Sequence, residues 1–206
     1  MSGAFAHGGG LDKQGGHLNR KTGEYHCHRS PCFQVHEQVK QSQDEAERNT
    51  YSTLYDRDDW KHWIDADRDC QDTRAEILIR DSTDSVRFRR SRSCSVASGM
   101  WPFPYYGGST ESARDLDIDH VVPLKWAHGH GGDQWSPNRK MIFANDRLNL
   151  LSVSASANRS KGSRGPDQWM PRVNHCLYAK IWLKVIEKYD LQILSSERIV
   201  LINACE

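Results

Sequence analysis

Six cysteines in 206 residues constrain this chain more than any other single feature. They stand at Cys27, Cys32, Cys70, Cys94, Cys176 and Cys205. An even number at wide spacing suits disulfides formed in an oxidising compartment. Spacing alone leaves the connectivity open. Closing a loop costs more entropy as the loop lengthens, so sequence neighbours join most easily. That argument favours 27–32, 70–94 and 176–205. A secreted or periplasmic location is therefore expected. Ala4-Phe5-Ala6 fits the A-x-A pattern that precedes a leader cleavage point. No apolar run approaches the roughly 20 residues of a membrane span, so no membrane partner is expected.

The length suits one domain, or one domain with a small appendage. At 37% hydrophobic and 27% charged residues, most of the chain should be globular. Residues 1–50 read as the appendage and 51–206 as the domain. The stretch HGGGLDKQGGHLNRKTGEYHCHRSPC (7–32) is rich in Gly and His and cannot bury a core of its own. His7, His17, His26 and His28, with Cys27 and Cys32, offer ligands enough for a small zinc site, although the spacing matches no standard finger. The plainer reading is a mobile tail with one disulfide. The stretch resembles a short His/Cys-rich module ending in Tyr-His-x-His that is attached to many exported bacterial proteins.

Net charge is 28 − 27 = +1, which gives no global sign of a polyanionic partner. Local charge differs. VRFRRSRS (86–93) carries Arg87, Arg89, Arg90 and Arg92, and NRSKGSR (158–164) carries Arg159, Lys161 and Arg164. Such patches can neutralise phosphates in a near-neutral molecule. They can equally be solvated faces.

Residues 33–50 read as a polar helix or linker. Trp60, Trp63 and Ile64 fall at i, i+3, i+4, which predicts one face of a short helix. TRAEILIRDS (73–82) reads as a helix or a helix-to-strand passage, and GMWPFPYYGG (99–108) as a structured loop. Residues 116–126 predict a strand and a helix start. HGHGGDQWSPN (128–138) reads as loop, with His128 and His130 in solvent. A stripe of Cys176, Tyr178, Ile181, Trp182, Val185, Ile186 and Tyr189 predicts a helix over 173–190. A Ser-capped helix is expected to close the chain. Asp65, Asp67, Asp69 and Glu76 copy the spacing of a calcium loop, but Cys70 stands where that loop needs its turning glycine.

The chemistry concentrates further on. DLDIDHVVPL (115–124) puts Asp117, Asp119 and His120 where a strand begins. Asn149 follows in RLNLLSVS (147–154), and Asn158 in SANRSKG (156–162). The order is strand, partner strand, helix. The pattern D-x-D-H … N … N-R-x-K resembles the HNH endonuclease superfamily. It is most similar to an exported bacterial subgroup whose domain also closes the modified-DNA restriction enzymes of the GmrSD type. The likeness runs over about 50–206. It implies an α+β fold, a mainly helical domain around a ββα-metal core with few short strands.

The resemblance implies a nuclease acting on DNA, with RNA as a further candidate, and a role for each residue. A neutral histidine titrates near working pH and can take a proton from water, which fits His120 as general base. Asp119 and Asn158 would hold a divalent ion through hard oxygen donors. Such a donor set favours Mg²⁺, or Mn²⁺, over zinc. By the same resemblance Asn149 ties the histidine-bearing loop and orients the base. Arg159 and Lys161 are the candidates for a flanking phosphate, and Asp117 for support behind the site. No sequence-reading module is visible, so little sequence specificity is expected, from a monomer. Two other readings stand beside this one. One is a cytoplasmic restriction-type nuclease. The other is a non-enzymatic metal-binding or cell-envelope protein whose N-terminal histidines do the work.

Overall fold

The computed structural model describes residues 11, 13, 15–18, 25–34, 54–91 and 93–206. Ala4–Ala6, His7, Arg92 and all of the 33–50 helix beyond Gln34 lie outside them. The chain divides into two units, Met1–Asn49 and Thr50–Glu206.

In the first unit, strands β1 (Gly16–Leu18) and β2 (Tyr25–Cys27) pair antiparallel with His17 opposite His26. The His17 and His28 rings stack at 4.8 Å. Cys27 and Cys32 form a disulfide. Their sulfurs are therefore not available as zinc ligands, which corrects that part of the sequence reading.

The second unit is α+β, with helices around small antiparallel sheets. Helix α1 (Thr73–Asp81) starts where the Asp72 carboxylate accepts the Ala75 N–H. Strands β3 (Arg87–Phe88), β4 (Val96–Pro102) and β5 (Ser109–Ser112) form a three-stranded sheet. Strands β6 (Leu116–His120) and β7 (Leu150–Ser154) pair antiparallel, Leu116 opposite Ser154 and His120 opposite Leu150. Between them run α2 (Leu124–Gly129) and α3 (Pro137–Ala144). Helix α4 (Ala155–Lys161) leaves directly from β7, its first turn capped by the Ser154 hydroxyl. Helices α5 (His175–Tyr189) and α6 (Ser195–Asn203) complete the chain.

Two apolar cores result. The larger joins Trp60, Tyr105, Val121, Trp126, Phe143 and Trp182. Helix α5 enters it through Tyr178, Trp182, Val185, Ile186 and Tyr189, members of its predicted stripe. The smaller packs Ile77, Leu78, Trp101, Leu116, Ile118 and Leu150 between α1 and the two sheets. Helix α1 also grips β7 by polar bonds. Arg80 donates to the carbonyls of Arg147 and Leu150, and Asp81 accepts the Ser152 N–H. The Cys70–Cys94 and Cys176–Cys205 disulfides make the neighbour pairings that loop entropy favours.

Several local expectations change. Trp60, Trp63 and Ile64 do not share a helix; only Arg57–Asp59 makes a 3₁₀ turn. Aspartates around them capture backbone amides, Asp56 that of Asp58 and Asp65 that of Cys70, and this competes with helical bonding. Part of the aromatic loop 99–108 belongs to β4. At α6, the Glu197 carboxylate rather than a serine hydroxyl caps the start, accepting the Leu194 N–H. His128 and His130 are buried, not in solvent. The Trp126 ring stacks on His130 at 3.6 Å, and His130 Nδ1 donates to the Trp126 carbonyl.

His128 has no hydrogen-bond partner at either ring nitrogen among the described residues. Its burial, and then the nearby Lys140 ammonium, hold its pKa below the usual histidine range. The unfolded chain therefore binds a proton at His128 more readily than the folded one. Stability should fall as pH drops through about 6.5, where the unfolded histidine titrates. Replacing His128 by Phe should narrow the difference in Tm between pH 8 and pH 5, with His120 leaving a residual slope. An unchanged gap in thermal melts of the variant would rule this contribution out.

Candidate active site

Strand alternation sends Asp117 and Asp119 to one face of β6, and α4 packs against that strand. A cleft of about 350 Å³ opens there. Asp119, His120, Asn158 and Arg159 line it together with Arg57 and Lys125. Of the residues singled out in the sequence, those first four are brought together.

Asp119 is almost fully buried. The Tyr105 hydroxyl donates to its Oδ2 at 2.6 Å, and the Lys161 ammonium to its Oδ1 at 2.9 Å. Burial pushes the Asp119 carboxyl up and the Lys161 ammonium down, while their contact opposes both shifts. Lys161 is 0% exposed, and its Nζ also donates to the His120 carbonyl at 2.8 Å. It therefore cannot reach a substrate phosphate, which corrects the sequence reading. Arg159, on the exposed side of α4, remains free to do so.

His120 closes β6 with its ring buried. Its Nε2 lies 2.8 Å from the Ala144 carbonyl, which can only accept. Nε2 therefore carries the hydrogen and Nδ1 keeps a lone pair. Burial, followed by the Lys161 charge and others, lowers the imidazole pKa to about 3, so the ring is neutral at physiological pH. Trp63 stacks against it at 5.8 Å. The residues beside Trp63 are pinned by Asn145, which accepts from the Ile64 N–H and the Thr73 hydroxyl and donates to the Lys61 carbonyl.

Asn149 is fully buried at the turn into β7. Its side chain accepts the Val122 N–H at 2.7 Å and donates to the Val122 carbonyl at 3.0 Å. Its own carbonyl accepts the Val121 N–H. Three bonds thus fix the two residues that follow His120. Asn158 donates its amide to Asp117 at 3.1 Å, and its amide oxygen keeps no bond among the described residues. Asn158 and Asp119 both line the cleft and both carry hard oxygen donors. Each Asp119 oxygen holds one hydrogen bond, which leaves lone pairs for a cation.

The acidic loop makes the turn its sequence lacks a glycine for. Cys70 takes φ 76°, Asp65 accepts its N–H, and the disulfide to Cys94 anchors it. Asp65, Asp67 and Asp69 are the one group among the described residues with three ligand atoms within 4.8 Å of one another, and Glu76 does not join them. His17, His26 and His28 are not so gathered, and His7 lies outside the described residues.

Sequence reasoning missed Tyr105, Trp63, Arg57 and Lys125. The first sits in an aromatic loop with no pattern of its own. The others come from segments that meet the site only through the fold. Burial of Lys161 did carry a signal: it lies four residues after buried Ala157, on the same face of α4.

The chain belongs to the family described as GmrSD restriction endonucleases, C-terminal domain, which it matches over residues 72–204. It is also 39% identical over 158 residues to an uncharacterized secreted protein of Arthroderma benhamiae, covering 73% of this chain and 76% of that protein. No solved structure matches it. Tyr55, Arg57 and Trp63 lie ahead of the matched span, yet they wall the same cleft or stack on His120.

Removing the Lys161 charge leaves Asp119 buried without its cation. Lys161→Met should lower the unfolding free energy by about 3–5 kcal/mol. Arg159→Met, at an exposed position, should stay within about 0.5 kcal/mol of the parent. Urea unfolding of both variants tests this, and equal stability would remove the ion pair from its structural role.

Proposed function

We propose that this chain is a secreted, metal-dependent endonuclease with a ββα-metal (HNH) core, β6–β7–α4, that hydrolyses phosphodiester bonds with little sequence specificity. DNA is the substrate, with RNA as a second. The observation that carries the reading is the convergence of Asp119, His120, Asn158 and Arg159 on one cleft, with Asn149 clamping the adjoining loop. Membership of a nuclease-domain family supports it. Closure of all six cysteines in disulfides, and a relative named as secreted, support the location over a cytoplasmic restriction role.

Asp119 and Asn158 are the residues that would hold the ion. Their two hard oxygens fit Mg²⁺ or Mn²⁺ better than zinc. When bound, such an ion supplies Lewis-acid neutralisation of the phosphate and of the leaving oxygen. His120 does the proton work. Its Nδ1 lone pair takes a proton from the attacking water while Nε2–H stays on the Ala144 carbonyl. A base held near pKa 3 is weak until charge arrives. The negative phosphate in the cleft favours imidazolium and raises it toward working pH. Asn149 keeps the ring aimed by fixing Val121 and Val122. Arg159 meets the phosphate as an exposed cation on α4.

Zinc on the N-terminal ribbon is a separate proposal. It rests on the ring pairs His17–His26 and His17–His28 alone, and it has no part in the chemistry above.

Supercoiled plasmid, single strands and RNA incubated with the protein and Mg²⁺, Mn²⁺ or EDTA test the reading. Nicking and linearisation should need the metal. His120→Ala should lose about 10²–10⁴ in rate, the usual worth of a general base. Wild-type protein that leaves every substrate intact with every metal would refute it.

A further inference from the structure

One charged feature lies outside the cleft. Strands β3 and β4 are joined by a tight tip, held by the Arg89 N–H to Ser95 carbonyl and Ser93 N–H to Arg90 carbonyl bonds. Arg87, Arg89 and Arg90 on this hairpin are all exposed. None of the three has a carboxylate partner among the described residues. The acids nearby are turned elsewhere. Asp72 and Asp84 accept backbone N–H groups of Ala75 and Ser85, and Asp65, Asp67 and Asp69 accept those of Cys70, Asp69 and Gln71.

The hairpin is also held in place. The Cys70–Cys94 disulfide anchors its turn, and Phe88 packs against the smaller core. Three cations thus stand on a fixed ribbon without an ion pair among the described residues. Below the tip, Arg89 and Ser95 line a groove of about 220 Å³ that also reaches Asp72 and Ala113. The other arginine there, Arg74, is engaged by the carbonyls of Ala113 and Leu116.

We infer that Arg87, Arg89 and Arg90 on this hairpin form a second nucleic-acid contact, separate from the cleft, which grips the phosphate backbone of the same strand or duplex. This rests on the nuclease reading above. All three cations are arginines, whose planar fork suits phosphate oxygens. The tip offers no apolar side chain for a bilayer, because Val86 and Phe88 face the core. Strand β6 links the two places. It runs from Leu116, beside the groove, to His120 in the cleft, about 13 Å at roughly 3.3 Å per residue. A substrate of a few nucleotides fills the cleft alone, and a longer one spans both.

Binding of a 40-base-pair duplex in EDTA, across salt concentrations, tests the contact without cleavage. The triple variant Arg87→Ala/Arg89→Ala/Arg90→Ala should give a salt slope shallower by about 2.7, at about 0.9 per phosphate contact. Wild-type affinity should therefore fall about 40-fold more than the variant's between 50 and 200 mM salt. The triple lysine variant should restore most of the slope. Cleavage of a six-nucleotide strand and the melting temperature should not change in the alanine variant. Equal slopes in wild type and alanine variant would overturn the contact. So would tighter arginine-dependent binding to phosphatidylserine vesicles than to duplex. A slope change in a protein that cuts nothing would keep the contact and sink only the catalytic reading.

Discussion

The buried ammonium of Lys161 organises the middle of this domain. It bonds the Asp119 carboxylate and the His120 carbonyl at once, so it ties the end of α4 to the end of β6. A buried charge is tolerated only with a partner and satisfied hydrogen bonds. Here the second acceptor comes from the backbone, and the Tyr105 hydroxyl bonds the other carboxylate oxygen. Removing either charge would leave the other stranded, so neither is free to drift. The consequence is positional. Asp119, His120 and Asn158 sit on two elements whose relative placement is set by an interaction that solvent does not reach.

Around that pair the fold builds a base and shields it. Asn149 fixes the residues after His120, the Ala144 carbonyl at the end of α3 selects its tautomer, and Trp63 covers its ring. Three distant segments therefore converge on one imidazole. The last of them lies before the span that matches the family. Its placement depends on Asn145, which joins the Lys61–Ile64 backbone to Thr73 and α3.

Much of this was legible from residue patterns, where one period dominates. The stripe along α5 is a single-period signal, and its helix forms. The misreadings have a common cause: a local rule met a tertiary partner. Gly-rich flanks suggested solvent for His128 and His130, but Trp126 stacking and helix packing buried them. A basic run suggested an exposed Lys161, although its four-residue spacing from Ala157 placed it inward. The i, i+3, i+4 apolar residues at 60–64 suggested a helix, and aspartate side chains took the amides instead. Convergence on His120 had no local signal, because Trp63, Ala144 and Asn149 share no sequence period.

Neither the acidic loop nor the arginine hairpin forms an ion pair among the described residues. The domain turns the carboxylates of its acidic loop onto backbone amides, where they stiffen a turn that a glycine would otherwise make. Cys70 takes the left-handed φ at that point, held by its bond to Cys94. The same disulfide roots the arginine hairpin. One covalent link therefore roots two oppositely charged segments. A chain with a net charge of +1 can thus present exposed cations at the cleft and on the hairpin while the acids of its loop hold backbone amides. A polyanion approaching such a surface meets local fields that the sum of charges conceals.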